Sequence, residues 1–207
     1  MRFDEALAGL PLIAILRGLR PEQAVDIATA LFDAGFRILE VPLNSPSPLA
    51  SIERIAARFT GRMLIGAGTV LDANAVGQVA DAGARLIVSP NFEAAVVHAT
   101  KKRDLVSVPG VATPSEAFAA LAAGADALKL FPAEMISPKV VRSIRAVLPK
   151  ETRLLPVGGI GLENIPAYRE AGADGFGIGS ALFKPGMSVA QVAQAAMKFV
   201  ERMRRHD

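Results

Sequence analysis

Cysteine is absent from all 207 residues. Its absence excludes disulfides, thiolate-bound metals and a cysteine nucleophile. Histidine is scarce. His98 and His206 are the only two, so a three-histidine zinc site cannot be built. His98 falls in a predicted helix and His206 in the tail, and both read as surface residues. Long apolar runs are missing too, and no uninterrupted stretch reaches the length of a membrane span. The chain opens Met1-Arg2-Phe3-Asp4-Glu5, with acids where a signal peptide would be apolar. Excess charge is small. A net +3 is too little to imply nucleic acid. The two basic runs, Lys101-Lys102-Arg103 and Arg202 to Arg205, close predicted helices, where cations suit the negative end of the dipole. Neither is interleaved with aromatics, which weakens an RNA-binding reading. These absences leave a cytoplasmic enzyme without metal, nucleic-acid partner or membrane as the expectation.

Apolar and small residues are plentiful. Hydrophobic residues make up 51% of the chain and mean hydropathy is +0.35, enough for a sizeable core. Short apolar runs alternate with alanine-rich amphipathic stretches from end to end. Eight runs stand near residues 12–16, 37–41, 63–67, 85–89, 104–108, 126–130, 153–157 and 174–178. A last helix is expected over 188–204. Ala-Gly recurs before every second run, as Ala34-Gly35, Ala82-Gly83, Ala123-Gly124 and Ala171-Gly172. The glycines are spaced 48, 41 and 48 residues apart. Each follows a helical pattern and precedes a strand, as a left-handed cap does. Four copies of a two-unit βα block make eight units. The expectation is an α/β chain in which residues 1–207 form a single-domain (β/α)₈ TIM barrel. An open doubly wound sheet is the alternative.

Residues 126–132, Asp126-Ala127-Leu128-Lys129-Leu130-Phe131-Pro132, place a lysine inside a short apolar run that ends at proline. The pattern is that of a parallel strand buried on both faces. Lysine is rarely buried without a partner or a task. Desolvation there favours the neutral amine, which can attack a ketone and form a Schiff base. The structural alternative is a lysine that snorkels from the strand end to water.

In a barrel, the ends of strands and the loops after them carry the chemistry. Arg17 shares a face with Ile13 and Ile15, and its guanidinium can hold a carboxylate by two parallel bonds; otherwise it is an ordinary solvated arginine. Glu40 lies between Leu39 and Val41, so burial is expected to raise its pKa and suit it to carrying protons, or else it is a structural partner for an arginine. Thr69 ends the lean loop Gly66-Ala67-Gly68-Thr69, which lets a ligand approach the backbone, or it is a helix N-cap before Asp72. Asn44 sits in a proline-framed loop and faces either a substrate hydroxyl or its own turn. Gly158-Gly159 and Gly179-Ser180 fall after the seventh and eighth runs, where barrels of this kind hold phosphate, aided by a short helix start. Thr113-Pro114-Ser115-Glu116 is a capping box and reads as structural.

From about Pro11 to Met203 these residues resemble the pyruvate-dependent class I aldolases that cleave 2-keto-3-deoxy-6-phosphosugar acids. The motifs that carry the resemblance are Ile15-Leu16-Arg17-Gly18, Glu40-Val41-Pro42-Leu43-Asn44-Ser45-Pro46, Gly66-Ala67-Gly68-Thr69-Val70, Ser89-Pro90-Asn91, Leu128-Lys129-Leu130-Phe131-Pro132 and Val157-Gly158-Gly159. The resemblance implies a homotrimer of (β/α)₈ barrels that needs no cofactor and acts on a phosphorylated keto-sugar acid. It implies that Lys129 carries the Schiff base and that Glu40 shuttles protons. It places the substrate against Arg17, Thr69, Asn44, Pro90, Phe131 and Val157, and the phosphate against Gly158, Gly159, Gly179 and Ser180. Two positions choose within the family. The 6-phosphogluconate-type enzymes usually carry arginine where Asn44 stands and threonine where Val157 stands. This chain is similar to the 2-dehydro-3-deoxy-6-phosphogalactonate branch, with the carbon-4 epimer or 4-hydroxy-2-oxoglutarate as alternative substrates. A phosphosugar isomerase or synthase, and a non-catalytic phosphosugar-binding barrel, remain as readings from other classes.

Overall fold

The computed structural model describes residues 1–204. Arg205 and His206 therefore lie outside the described residues. All eight apolar runs are parallel strands: β1 (Leu12–Ile15), β2 (Ile38–Pro42), β3 (Leu64–Gly68), β4 (Leu86–Val88), β5 (Val106–Val108), with its continuation β6 (Gly110–Val111), β7 (Leu128–Leu130), β8 (Leu154–Pro156) and β9 (Phe176–Ile178). Helices alternate with them: α2 (Ala24–Ala34), α3 (Pro48–Phe59), α4 (Ala73–Asp81), α5 (Ala94–Lys101), α6 (Pro114–Ala122), α7 (Pro138–Arg145), α8 (Ile165–Glu170) and α9 (Val189–Arg204). The extra strand segment has a simple cause. Pro109 stands between β5 and β6 and has no N–H for the ladder. Its carbonyl still accepts from the Lys129 N–H at 2.9 Å.

Two parallel sheets result, one ordered β5-β4-β3-β2-β1-β9 and the other β6-β7-β8. An isolated parallel bridge joins Val157 to Gly177 at the ends of β8 and β9. The repeated glycines behave as their spacing predicts. Gly35, Gly83, Gly124 and Gly172 all have positive φ, between 94° and 119°. The capping box at Thr113 and Glu116 is present.

Several strands begin later than their apolar runs. The displaced residues have another task. Asp126 accepts the Ser107 N–H at 2.8 Å and pairs with Lys101 at 2.7 Å, which fixes the entry to β7. Asp174 repeats the device before β9, accepting the Leu154 N–H at 2.8 Å. Both follow an Ala-Gly-Ala sequence, so the repeat extends to a side chain that ties each strand to its neighbour.

Alternation along the strands separates two cores. Outward residues such as Leu39, Ile65, Leu128 and Ile178 pack under the helices. Inward residues Ile13, Ile38, Leu64, Leu86, Val108, Ala127 and Leu155 form a second cluster that draws on both sheets. A helix the sequence pattern did not reveal, α1 (Phe3–Gly9), closes this cluster with Phe3, Ala6 and Leu7. Its length of 7 residues is too short for periodicity to show.

Phe3→Ala removes a large side chain from this inner cluster. It is expected to lower unfolding free energy by about 3 kcal/mol, read as a shift of the urea midpoint at constant slope. A loss under about 1 kcal/mol would show that α1 merely leans on the sheets.

Candidate active site

Lys129 and Glu40 are buried on the inward face, one pleat above the apolar cluster. Lys129 is 5% exposed and Glu40 2%. Period two explains both: Ala127 and Lys129 face inward from one strand, Ile38 and Glu40 from another. The strands beside them supply space rather than side chains. A Cβ built on Gly68 would overlap the Glu40 carboxylate, and one on Gly66 would stand 2.8 Å from the Leu86 carbonyl oxygen. Gly66–Gly68 is therefore strand and not the lean loop that was expected. Its glycines admit Glu40 and a neighbouring strand.

Burial pushes the Glu40 carboxyl up to about 7, against the opposing pull of Lys129 and then Arg17. Burial also lowers the Lys129 amine, opposed by Glu40 and reinforced by Arg17. Each group thus loses preference for its charged form and feels the other's charge. Oε2 of Glu40 is buried without a hydrogen-bond partner among the described residues. An acceptor so placed is suited to a bound hydroxyl or water. The Lys129 Nζ lies 4.5 Å from the centroid of the Phe131 ring.

Above this layer opens a cavity of about 460 Å³. Eight residues expected at the site line it: Arg17, Asn44, Phe131, Val157, Gly158, Gly159, Gly179 and Ser180. Lys129, Glu40, Thr69 and Pro90 do not. Contacts and register tie Lys129, Glu40 and Pro90 to its surroundings, and none places Thr69 against it. Phe131 joins the cavity to Lys129. Ile15 lines the cavity and is the register partner of Glu40. Pro90 abuts Gly110, the register partner of Lys129. Thr69 follows Gly68 in a left-handed conformation, with φ of 57°. The N-cap alternative for Thr69 does not hold, because Asp72 caps α4 itself by accepting the Ala75 N–H at 2.9 Å. A larger open groove of about 1230 Å³ lies between α2 and α9. It faces outward, far from the inward layer, and none of the site residues lines it.

Three loops are pinned together at the cavity mouth. Ser45 accepts the Gly18 N–H at 2.9 Å. Gly18 has a φ of 83°, and a Cβ there would stand 2.5 Å from the Pro185 ring. Arg17 and Asn44 are thereby held near Lys184, a cation that lines the cavity and was not anticipated. Glu134 was also missed, and it too lines the cavity. Both follow motifs that were recognised, but nothing in their own spacing marks them. The short helix expected at Gly179 is a single turn, in which the Gly179 carbonyl accepts from Leu182 and Phe183 at 2.9 and 3.0 Å.

A buried amine, a buried carboxyl and a cationic cavity mouth make an arrangement suited to imine chemistry on an anionic ketone. The family described as "Aldolase: KDPG and KHG aldolase" matches residues 3–198. This chain belongs to that family. It is 49% identical over 187 residues to the probable 2-dehydro-3-deoxy-6-phosphogalactonate aldolase of Rhizobium meliloti (strain 1021), covering 90% of this chain and 88% of the relative. It is 44% identical over 195 residues to the 2-dehydro-3-deoxy-6-phosphogalactonate aldolase of Escherichia coli (strain K12), covering 94% and 95%. Among solved structures, the native KDPGal structure superposes with a TM-score of 0.93 at 43% identity, covering 95% of each chain. The chain is thus an aldolase, a carbon–carbon lyase.

The raised Glu40 pKa gives a pH signature. Below about 7 the group is the acid, and above it the carboxylate that can accept a proton. Aldol cleavage at saturating substrate is expected to rise with pH through about 7. Glu40→Gln keeps the shape, lowers cleavage on the order of a hundredfold and removes that ionisation from the residual rate. A pH profile from 5 to 9 checks both; an unchanged profile in the variant would assign the ionisation to another group.

Proposed function

We propose that this chain is a class I aldolase that cleaves 2-dehydro-3-deoxy-6-phosphogalactonate to pyruvate and D-glyceraldehyde 3-phosphate through a Schiff base on Lys129. The observation that carries the reading is the burial of Lys129 and Glu40 in one layer beneath a cavity with Arg17 at its mouth. The relatives named for this substrate support the choice of keto acid.

Residues 1–207 form one domain, and the two sheets are arcs of one closed (β/α)₈ barrel. Three features support closure: β5 and β6 are one strand passing Pro109, the Val157–Gly177 bridge spans the other seam, and the inner cluster takes side chains from both sheets. The unreversed order from β5 to β1 lacks the switch point of a doubly wound sheet. The family resemblance further supports a homotrimer acting in the cytoplasm.

In the mechanism, Arg17 and Thr69 seat the carboxylate and ketone, with Pro90 and Phe131 walling the keto acid. Neutral Lys129 adds to carbon 2, and loss of water leaves the iminium. The carbon-4 hydroxyl gives its proton to Glu40, directly or through water. The bond between carbons 3 and 4 breaks, its electron pair enters the enamine, and carbon 4 leaves as the aldehyde. Glu40 returns a proton to carbon 3, and water releases pyruvate from Lys129. Gly158, Gly159, Gly179 and Ser180 cradle the phosphate, with Lys184 adding charge.

Val157 and Asn44 tilt selection at carbon 4. Leu155 is the register partner of Lys129, and Val157 stands one pleat further toward the glycines. A substrate joined to Lys129 with its phosphate at Gly158 and Gly159 must pass its middle hydroxyls by Val157. Valine offers an apolar wall there. Threonine is close in size and adds a hydroxyl. Cleavage efficiency on both epimers tests the assignment. The wild type is expected to accept the galactonate form well, and Val157→Thr to favour the gluconate epimer by about fivefold, roughly 1 kcal/mol. A wild type that strongly prefers the gluconate epimer, with Val157→Thr no different, would overturn the substrate assignment.

A further inference from the structure

Glu134 is a carboxylate in the place where a phosphate is expected. The residue before it, Ala133, is fixed from both sides, by the 157–159 segment and by α8. The Ala133 N–H donates to the Val157 carbonyl at 2.8 Å, and the buried Tyr168 hydroxyl donates to the Ala133 carbonyl at 2.9 Å. The Glu134 side chain then folds over the two glycines. A Cβ built on Gly159 would stand 2.9 Å from the Glu134 Cγ and 3.1 Å from its Oε1, and one on Gly158 would meet Oε2 closer still. Glu134 thus lies against the backbone that a phosphate would have to approach, in the cavity that also holds Arg17, Ser180 and Lys184. The side chain is exposed, and no hydrogen bond or ion pair among the described residues fastens its carboxylate. Packing alone keeps it there, so it can leave at little cost.

We propose that Glu134 is a built-in competitor for the anion position over Gly158 and Gly159, which the substrate's phosphate group must displace. The proposal rests on the phosphate reading above. A carboxylate and a phosphate dianion cannot share that position, because like charges at contact distance repel. A tethered group competes at a high effective concentration, so it weakens every phosphate at the site by one common factor. Free inorganic phosphate and the departing aldehyde phosphate are weakened as much as the substrate. The substrate alone keeps a second hold, its covalent bond to Lys129. Glu134 therefore lowers the site's affinity for all phosphates alike, so free phosphates are held weakly while the substrate stays held through its bond to Lys129.

The test compares the wild type with Glu134→Gln and with the shorter Glu134→Ser in the full chain. Three quantities are read: KM for the phosphorylated keto acid, the inhibition constant of inorganic phosphate, and exchange of pyruvate methyl protons with deuterated water. Exchange needs Lys129 but no phosphate. Both variants are expected to lower KM and the inhibition constant by about fivefold while exchange is unchanged. Unchanged constants would overturn the proposal. Raised constants would do so too, and would assign Glu134 to a substrate hydroxyl. A parallel fall in exchange would overturn it by showing that Glu134 supports the Lys129 layer. Absence of inhibition by inorganic phosphate in the wild type and in both variants would instead remove the phosphate reading itself.

Discussion

Two ionisable groups share one dry layer, and the rest of the structure is arranged to tolerate that. Removing Lys129 and Glu40 from water disfavours both charges, while each charge favours the other. The opposing shifts bring their proton affinities toward each other. Replacing either group changes the other's environment, so they work as a pair and not as two independent residues. An amine whose charged form burial disfavours, beside a carboxyl that can give or take a proton near neutrality, suits both imine formation and aldol cleavage.

The backbone makes that layer possible. Glu40 fits because Gly68 has no side chain, and β4 can approach β3 because Gly66 has none. Gly177 is needed on the other side, where a Cβ would stand 2.7 Å from Val157. Below the pair, α1 and the inner apolar cluster exclude water. Above it, the bond from Gly18 to Ser45 and the contact of Gly18 with Pro185 hold three loops in register. The layer that holds Lys129 and Glu40 is thus supported by residues with little or no side chain. A substitution there acts through position rather than through lost chemistry.

The strands and the pair were legible in the sequence because burial on both faces leaves an unbroken apolar run, against which a lysine or a glutamate stands out. The glycine repeat was legible because a left-handed cap admits few residues. Other features left no such mark. Asp126 and Asp174 read as the starts of strands, and only the fold shows them accepting a neighbouring strand's N–H. Gly66 and Gly68 suggested close approach by a ligand, whereas the approaching groups are Leu86 and Glu40. Lys184 and Glu134 are charged surface residues by every local rule. Their importance lies in which loop they meet, and that depends on tertiary packing alone.

The central claim is covalent and can be tested as such. Incubating the protein with pyruvate and borohydride reduces any imine to a stable secondary amine, which peptide mass mapping then locates. The account predicts one adduct, on the peptide carrying Lys129, and none after Lys129→Ala. A label on Lys139 or Lys184, or no label at all, would contradict it.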